Sequence, residues 1–140
     1  MSFQNLQYLS AEELVPQLGQ DEGQTKIVIL DVRDPDEFSE GRIKGAKNLP
    51  STEWQDQSFV DNVLNGLVGS DSRNTTIVMH CAYSQKRGPT CAQLLQNRIN
   101  DIAVEQGVDS TMFPTVLVLQ GGFAAFNQKF GDNKDLVELD

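Results

Sequence analysis

With only two cysteines and one histidine among 140 residues, the chain lacks the material for a disulfide framework or a cysteine-rich zinc site. Cys81, Cys91 and His80 do not make up a metal set, so no bound metal is expected, and a reducing setting, cytoplasm or nucleus, is the natural one. Long apolar runs are missing too, which excludes a membrane-spanning helix. The opening stretch, MSFQNLQYLS, has neither the basic start nor the apolar centre of a secretion signal. Positive charge is scarce: 11 Lys and Arg stand against 20 Asp and Glu, a formal net charge of -9. A surface of that sign repels nucleic acid and anionic lipid, so neither is an expected partner. An anionic ligand must then be drawn in by a local positive field, which makes any positive loop informative. Repeats, low-complexity runs and linkers are absent, and the length suits one domain over 1–140 with its own core.

What is present is an alternation of apolar runs and amphipathic stretches. Ser10 and Glu13 have capping-box spacing, with Leu9 and Leu14 placed as a hydrophobic staple. Leu14, Val15 and Leu18 face a core, Gly19 ends this helix, and Pro16 keeps it short or kinked. The continuous run from Lys26 to Val32 suits a strand buried on both faces. Ala46 to Leu49 reads as a short strand. Phe59, Val60, Val63, Leu64 and Leu67 recur at helical spacing before Gly69. Thr75 to His80 is a second strong strand. Pro89 opens a helix beyond it, with Cys91, Leu94, Leu95 and Ile99 on one face. Thr115 to Leu119 is a third strand. Gly121-Gly122 then turns the chain into a last helix carrying Phe123, Phe126 and Phe130, with Gly131 after it. Strands alternating with helices predict an α/β domain with a parallel sheet and right-handed crossovers. Ligands of such sheets sit beyond the carboxyl ends of the strands.

The segment His80-Cys81-Ala82-Tyr83-Ser84-Gln85-Lys86-Arg87-Gly88-Pro89 carries the chemistry. A cysteine at the carboxyl end of a buried strand is followed, after five residues, by an arginine and the start of a helix. A tight loop entering a helix N-terminus gathers backbone N–H groups, here those of Ala82, Tyr83, Ser84, Gln85 and Lys86, around one point. The helix dipole adds partial positive charge. Arg87 adds a full charge and a planar fork that matches two oxygens of a phosphate-like anion. Such a field favours thiolate over thiol and makes Cys81 the expected nucleophile. Ser84 is expected to hydrogen-bond the sulfur and stabilise it as a leaving group. The plain alternative, a small buried cysteine at a strand end, does not account for the arginine, the gap and the Gly-Pro helix start occurring together.

This loop resembles the active-site loop of the cell-division-cycle dual-specificity phosphatases, the M-phase inducers. Through Ser84-Gln85, Arg87-Gly88-Pro89-Thr90 and Cys91-Ala92 it resembles the eukaryotic arsenate reductases of plants and fungi more closely still. Both groups use the rhodanese fold. Leu30-Asp31-Val32-Arg33 with Glu37-Phe38 and Gly41-Arg42-Ile43 looks like the early signature of that fold, and Leu119-Gln120-Gly121-Gly122-Phe123 like its closing turn. The resemblance implies a single rhodanese-like α/β domain, with a central, mostly parallel sheet of about five strands and helices on both faces. It implies a protein-tyrosine or dual-specificity phosphatase, an arsenate reductase, or both. The substrates would be a phosphorylated protein, a small aryl phosphate or arsenate. Nothing stays bound as a cofactor; glutathione and glutaredoxin would be co-substrates of the reductase. Sulfurtransferases of this fold use a loop one residue shorter, so a thiosulfate-type sulfurtransferase ranks below these readings. A non-catalytic phosphate-binding module is the alternative of another class, and the intact Cys81 and Arg87 argue against it. The sequence departs from the family at four positions, and it lacks the zinc-binding cysteine cluster of some plant relatives. The loop has no carboxylate where the M-phase inducers carry acids, at Ala82 and Lys86. Arg42 stands where the signature has histidine. Val32 replaces the cysteine that forms a protective disulfide in the M-phase inducers.

Supporting residues have two readings each. His80 is a general base or a buried ring that braces the loop; side chains alternate along a strand, which turns it away from Cys81 and favours bracing. Asp31 reaches the site or pairs with backbone or a cation as loop support, and the second is favoured. Arg33 and Glu37 are expected to form an ion pair near that strand end. Cys91 is a resolving thiol or, as its helical spacing favours, core. Lys86 attracts anions or faces solvent. Tyr83 walls the pocket or caps the loop.

Overall fold

The structure, a computed structural model, describes residues 6–18, 26–68 and 74–139. Strand β1 (Gln7–Leu9) leads into helix α1 (Ala11–Leu14), where the Ser10–Glu13 capping box forms in both directions. Pro16 then tightens the chain into a single 3-10 turn, Val15–Gln17. The strands β2 (Lys26–Asp31), β5 (Thr75–His80) and β6 (Thr115–Leu119) fall on the three apolar runs. With β1 and the short β4 (Lys47–Asn48) they form one sheet in the order β1-β6-β5-β2-β4. Each neighbouring pair in it is parallel. Helices α2 (Pro35–Ser39), α3 (Gln57–Val68), α4 (Arg87–Gln106) and α5 (Gly122–Phe130) complete the layers. A separate antiparallel pair joins β3 (Arg42–Ile43) to β7 (Val137–Glu138). The expected helix ends at Gly19 and Gly69 and the side chain of Leu67 lie outside the described residues.

The two-residue period of the strands sorts the core into two layers. Val28, Leu30, Val32, Ile77, Met79 and Cys81 pack with Val60, Val63, Leu64, Leu95 and Ile99 of α3 and α4. Ile29, Val78 and Leu119 pack with Leu14 of α1 and with Phe123 and Phe126 of α5. Helices therefore cover both faces. A fully buried side chain of this kind stabilises the fold by about 1.5–3 kcal/mol, so the continuous apolar strands are what fixes the sheet at the centre.

Helix α4 begins earlier than the sequence predicted. Pro89 does not open it; Arg87 is its first residue, and Pro89 stands third. Proline is tolerated there because the first amides of a helix have no intrahelical acceptor. That two-residue difference puts the Arg87 side chain and the Gly88 amide at the helix mouth, over the carboxyl ends of β5 and β2.

Candidate active site

Cys81 follows the last residue of β5 and is 4% exposed. Its side chain lies on the α4 face of the sheet and that of His80 on the α5 face, as strand alternation requires. The chain leaves Cys81, runs through bends from 82 to 86, and returns to it: the Gly88 N–H donates to Cys81 Sγ at 3.2 Å. This closure explains Gly88, since a Cβ there would meet the Cys81 nitrogen and the His80 Cα, each at 3.2 Å. Ser84 makes the turn with a φ of 53°, the one non-glycine residue in the left-handed region among those described.

The amides of this loop are unspent. Among the described residues no acceptor is assigned to the backbone N–H of any residue from 82 to 87. Consecutive amides with no protein acceptor at a helix mouth are free to donate to water or to an anion. The loop's carbonyls are held instead. Phe123 N–H donates to Cys81 O at 3.0 Å and Ala124 N–H to Ala82 O at 2.8 Å. Two free amides of the α5 N-terminus thus pin the start of the loop. Gly122, at φ 61°, permits the approach: a Cβ there would fall 2.5 Å from Cys81 O and 2.6 Å from Ala82 O.

The sequence-predicted residues fall as follows. Tyr83 is exposed at 63%, Gln85 and Lys86 are exposed, and Ala82 is half-buried at the loop's start. Ser84 is buried, and its Oγ has no hydrogen-bond partner among the described residues. The expected bond from Ser84 to the sulfur is therefore not formed; the earlier start of α4 gives that place to the Gly88 amide. His80 is fully buried, and its Nδ1 lies 3.0 Å from Cys81 O, which makes Nδ1–H the donor and ties the ring to the loop. Burial holds its pKa below the ordinary 6.5, against the opposing pull of Asp31. His80 Nε2 stands 3.8 Å from Asp31 Oδ2. Cys91 lies in the core layer beneath the loop, and desolvation, with the neighbouring Cys81 second, pushes its thiol up to about 12.

One expected contact is corrected. Arg33 does not pair with Glu37. Arg33 Nε and Nη2 donate to the Asp31 carboxylate at 3.0 and 2.7 Å, and Nη2 also donates to Gly41 O at 2.7 Å. The guanidinium lies 4.5 Å over the ring of Phe123. The cause is local: Asp31 ends β2, the chain bends at Arg33 two residues on, and both side chains lie on the α5 face. Glu37 is free for another partner, and it takes Arg87. Nη1 donates to Oε1 at 2.8 Å and Nη2 to Oε2 at 3.2 Å. The same Oε1 accepts the Asp34 N–H at 3.1 Å, closing a capping box at the start of α2. The arginine lowers the pKa of Glu37, and Glu37 raises that of Arg87. Sequence reasoning missed this carboxylate, although Asp34-Pro35-Asp36-Glu37 carries a helix-start signal that would have placed it. The departure at Arg42 is absorbed locally: its Nε donates to Glu138 Oε1 at 3.2 Å and ties β3 to β7.

Known proteins resemble the chain in sequence and fold. Residues 10–129 match the Rhodanese-like domain family. The chain is 33% identical over 128 residues to the dual specificity phosphatase ibp1 of Schizosaccharomyces pombe, covering 85% of this chain and 88% of that one. It is 29% identical over 116 residues to arsenate reductase 2.2 of Oryza sativa, covering 83% and 78%. The solved As-Sb reductase of Leishmania major superposes with a TM-score of 0.77 at 28% identity, over 96% of this chain and 86% of that one. With the five-stranded parallel sheet and the cysteine loop at its carboxyl edge, the chain belongs to the Rhodanese-like family, and its relatives there include a dual specificity phosphatase and an arsenate reductase.

Proposed function

We propose that the protein is a cysteine-dependent enzyme of tetrahedral oxyanions, hydrolysing phosphate monoesters, reducing arsenate, or both. The observation that carries the proposal is the run of open amides from 82 to 87 beside Cys81 Sγ, with the Arg87 guanidinium at its end. Similarity to a phosphatase and to arsenate reductases over most of the chain supports it.

Both reactions begin alike. The oxyanion settles on the loop amides and Arg87, and Cys81 Sγ attacks the central atom in line with the leaving group. With a phosphate monoester the ester oxygen leaves and Cys81 carries the phosphoryl group. Water then attacks phosphorus, releases inorganic phosphate and restores the thiol. The loop segment 82–86 contains no carboxylate to protonate a leaving oxygen, so aryl esters, which leave without help, are the favoured substrates. With arsenate, a hydroxyl leaves as water and Cys81 bonds to arsenic. Glutathione attacks the cysteine sulfur, the S–As electron pair stays on arsenic, and arsenite departs. The resulting mixed disulfide is reduced by glutaredoxin with a further thiol, which closes the two-electron balance. Ser84 Oγ, buried and unengaged, is available to donate to the sulfur as it leaves. A reducing compartment, cytoplasm or nucleus, keeps Cys81 competent.

The test compares wild type, Cys81→Ser and Arg87→Lys on an aryl phosphate, and on arsenate with glutathione and glutaredoxin. Wild type turns over at least one substrate, Cys81→Ser neither, and Arg87→Lys loses at least tenfold because a point charge cannot reproduce the fork. Undiminished turnover by Cys81→Ser removes the proposal.

A further inference from the structure

We infer that Glu37 is a positioning residue for the oxyanion site: it fixes the plane of the Arg87 guanidinium so that the arginine's remaining donors meet the substrate. The inference rests on the proposed oxyanion chemistry and adds a residue outside the loop to it.

Glu37 holds Arg87 end-on. One hydrogen from each terminal nitrogen goes to one carboxylate oxygen, at 2.8 and 3.2 Å. Five hydrogens are available on a guanidinium, and Glu37 takes two of them. No acceptor among the described residues takes Nε–H or the second hydrogens of Nη1 and Nη2. The side-on fork, Nε with Nη2, is therefore open while the end-on fork is occupied. A carboxylate and an oxyanion can share one guanidinium in this way without competing.

The holder is itself held. Oε1 accepts the Asp34 amide at 3.1 Å, so the carboxylate is fixed by the capping box of α2 before it meets the arginine. Pro35, at the first position of that helix, restricts the same turn. Oε2 has no place in the cap and is left for Nη2. A plain capping glutamate would need only one oxygen. The contact also spans 50 residues of chain, joining the start of α2 to the start of α4.

Stability does not explain the pair. The side chains of Arg87 and Glu37 are 33% and 36% exposed, and ion pairs so wet contribute little to folding. What the pair restricts is rotation of a long, flexible side chain at the mouth of the loop. An arginine held in one plane loses less freedom when it binds, which favours both binding and the in-line geometry.

The experiment uses the whole chain as wild type, Glu37→Gln, Glu37→Asp, Arg87→Ala and the double variant Glu37→Gln/Arg87→Ala. The probe is inorganic arsenate, read as protection of Cys81 from alkylation by iodoacetamide; kcat and KM on an aryl phosphate are read in parallel. Glutamine preserves the α2 cap, being as good a capping-box residue as glutamate, but turns an amide N–H₂ toward Nη2. Glu37→Gln is expected to weaken protection about tenfold and to lower kcat/KM to match, within the range of coupled pairs. Glu37→Asp keeps the charge but draws it back by one methylene, and behaves like Glu37→Gln. In the Arg87→Ala background, Glu37→Gln has no further effect on protection. Wild-type protection in Glu37→Gln, or an equal loss with and without Arg87, overturns the inference. A wild type that is protected by arsenate through Glu37 and Arg87 yet turns over no substrate removes the catalytic reading and leaves the positioning role standing. A wild type that arsenate does not protect removes both.

Discussion

Gly122 is where backbone geometry and the candidate site meet most directly, and Gly122→Ala puts a number on that contact. The residue sits at φ 61°, and an added Cβ would lie 2.5 and 2.6 Å from two backbone carbonyl oxygens, those of Cys81 and Ala82. Neither oxygen is the end of a flexible side chain, so the α5 start and the loop must part. The left-handed conformation costs a non-glycine residue about 1–2 kcal/mol. Separation also loses the bonds from Phe123 N–H and Ala124 N–H to those oxygens, about 0.5–1.5 kcal/mol each. The sum is roughly 2–5 kcal/mol, a fall in unfolding midpoint on the order of 10 °C for a domain of this size. Two other glycines separate the components. Gly107 has φ 66° and nothing within 4 Å of an added Cβ, so Gly107→Ala meets the conformational cost alone, about 1 kcal/mol. Gly66 lies inside α3, with open space around its Cβ position, and Gly66→Ala should stabilise by about 0.5–1 kcal/mol. Thermal and denaturant unfolding of the three variants, with aryl phosphate turnover alongside, is the assay. A Gly122→Ala protein as stable and as active as Gly107→Ala would refute the reasoning that the closing turn clamps the loop.

Two further outcomes follow from the buried groups. The His80 ring enters the folded protein neutral, with its pKa below 6.5, so the unfolded chain binds a proton that the folded one refuses. Stability is then full above about pH 6.5 and falls as the pH drops from there toward the depressed value, by up to about 1.4 kcal/mol per pH unit. His80→Asn keeps a donor for Cys81 O and should lose this slope in denaturant titrations between about pH 7.5 and 5.5; an unchanged slope would assign it to other groups. Cys91, buried at 1% exposure with its thiol pushed up to about 12, should resist alkylation in the native protein while Cys81 reacts. Peptide mapping after brief iodoacetamide treatment reads this directly, and labelling of Cys91 ahead of Cys81 would contradict it.

The main strands and the cysteine loop were legible because their signals are local and dense. Thr75 to His80 and Thr115 to Leu119 are strands over the residues their apolar runs mark. The Cys81–Arg87 spacing needs no tertiary information beyond the strand before it and the helix after it. What escaped the sequence was either too short or too distant. Strands of two or three residues, such as β3, β7 and β1, are too brief to show a period. Arg33 and Glu37 stand four apart, a spacing that pairs side chains only within one helix; here α2 starts at Pro35, so Arg33 lies outside it and turns to Asp31. The partnership of Glu37 with Arg87 depends on α2 and α4 meeting at the edge of the sheet, which no local pattern encodes. The start of α4 was misplaced because Pro89 is an equally good third residue, and the Gly88 amide on Cys81 Sγ was hidden by that displacement.

The proposed chemistry turns on one covalent bond to Cys81. Rapid-quench mass spectrometry of the wild-type protein mixed with an aryl phosphate, followed by peptide mapping, would catch it. The expected result is a transient phosphoryl group on the peptide containing Cys81, at a level that rises and decays with turnover and is absent from Cys81→Ser. Steady hydrolysis with no adduct on Cys81, or an adduct carried by another residue, would contradict the account.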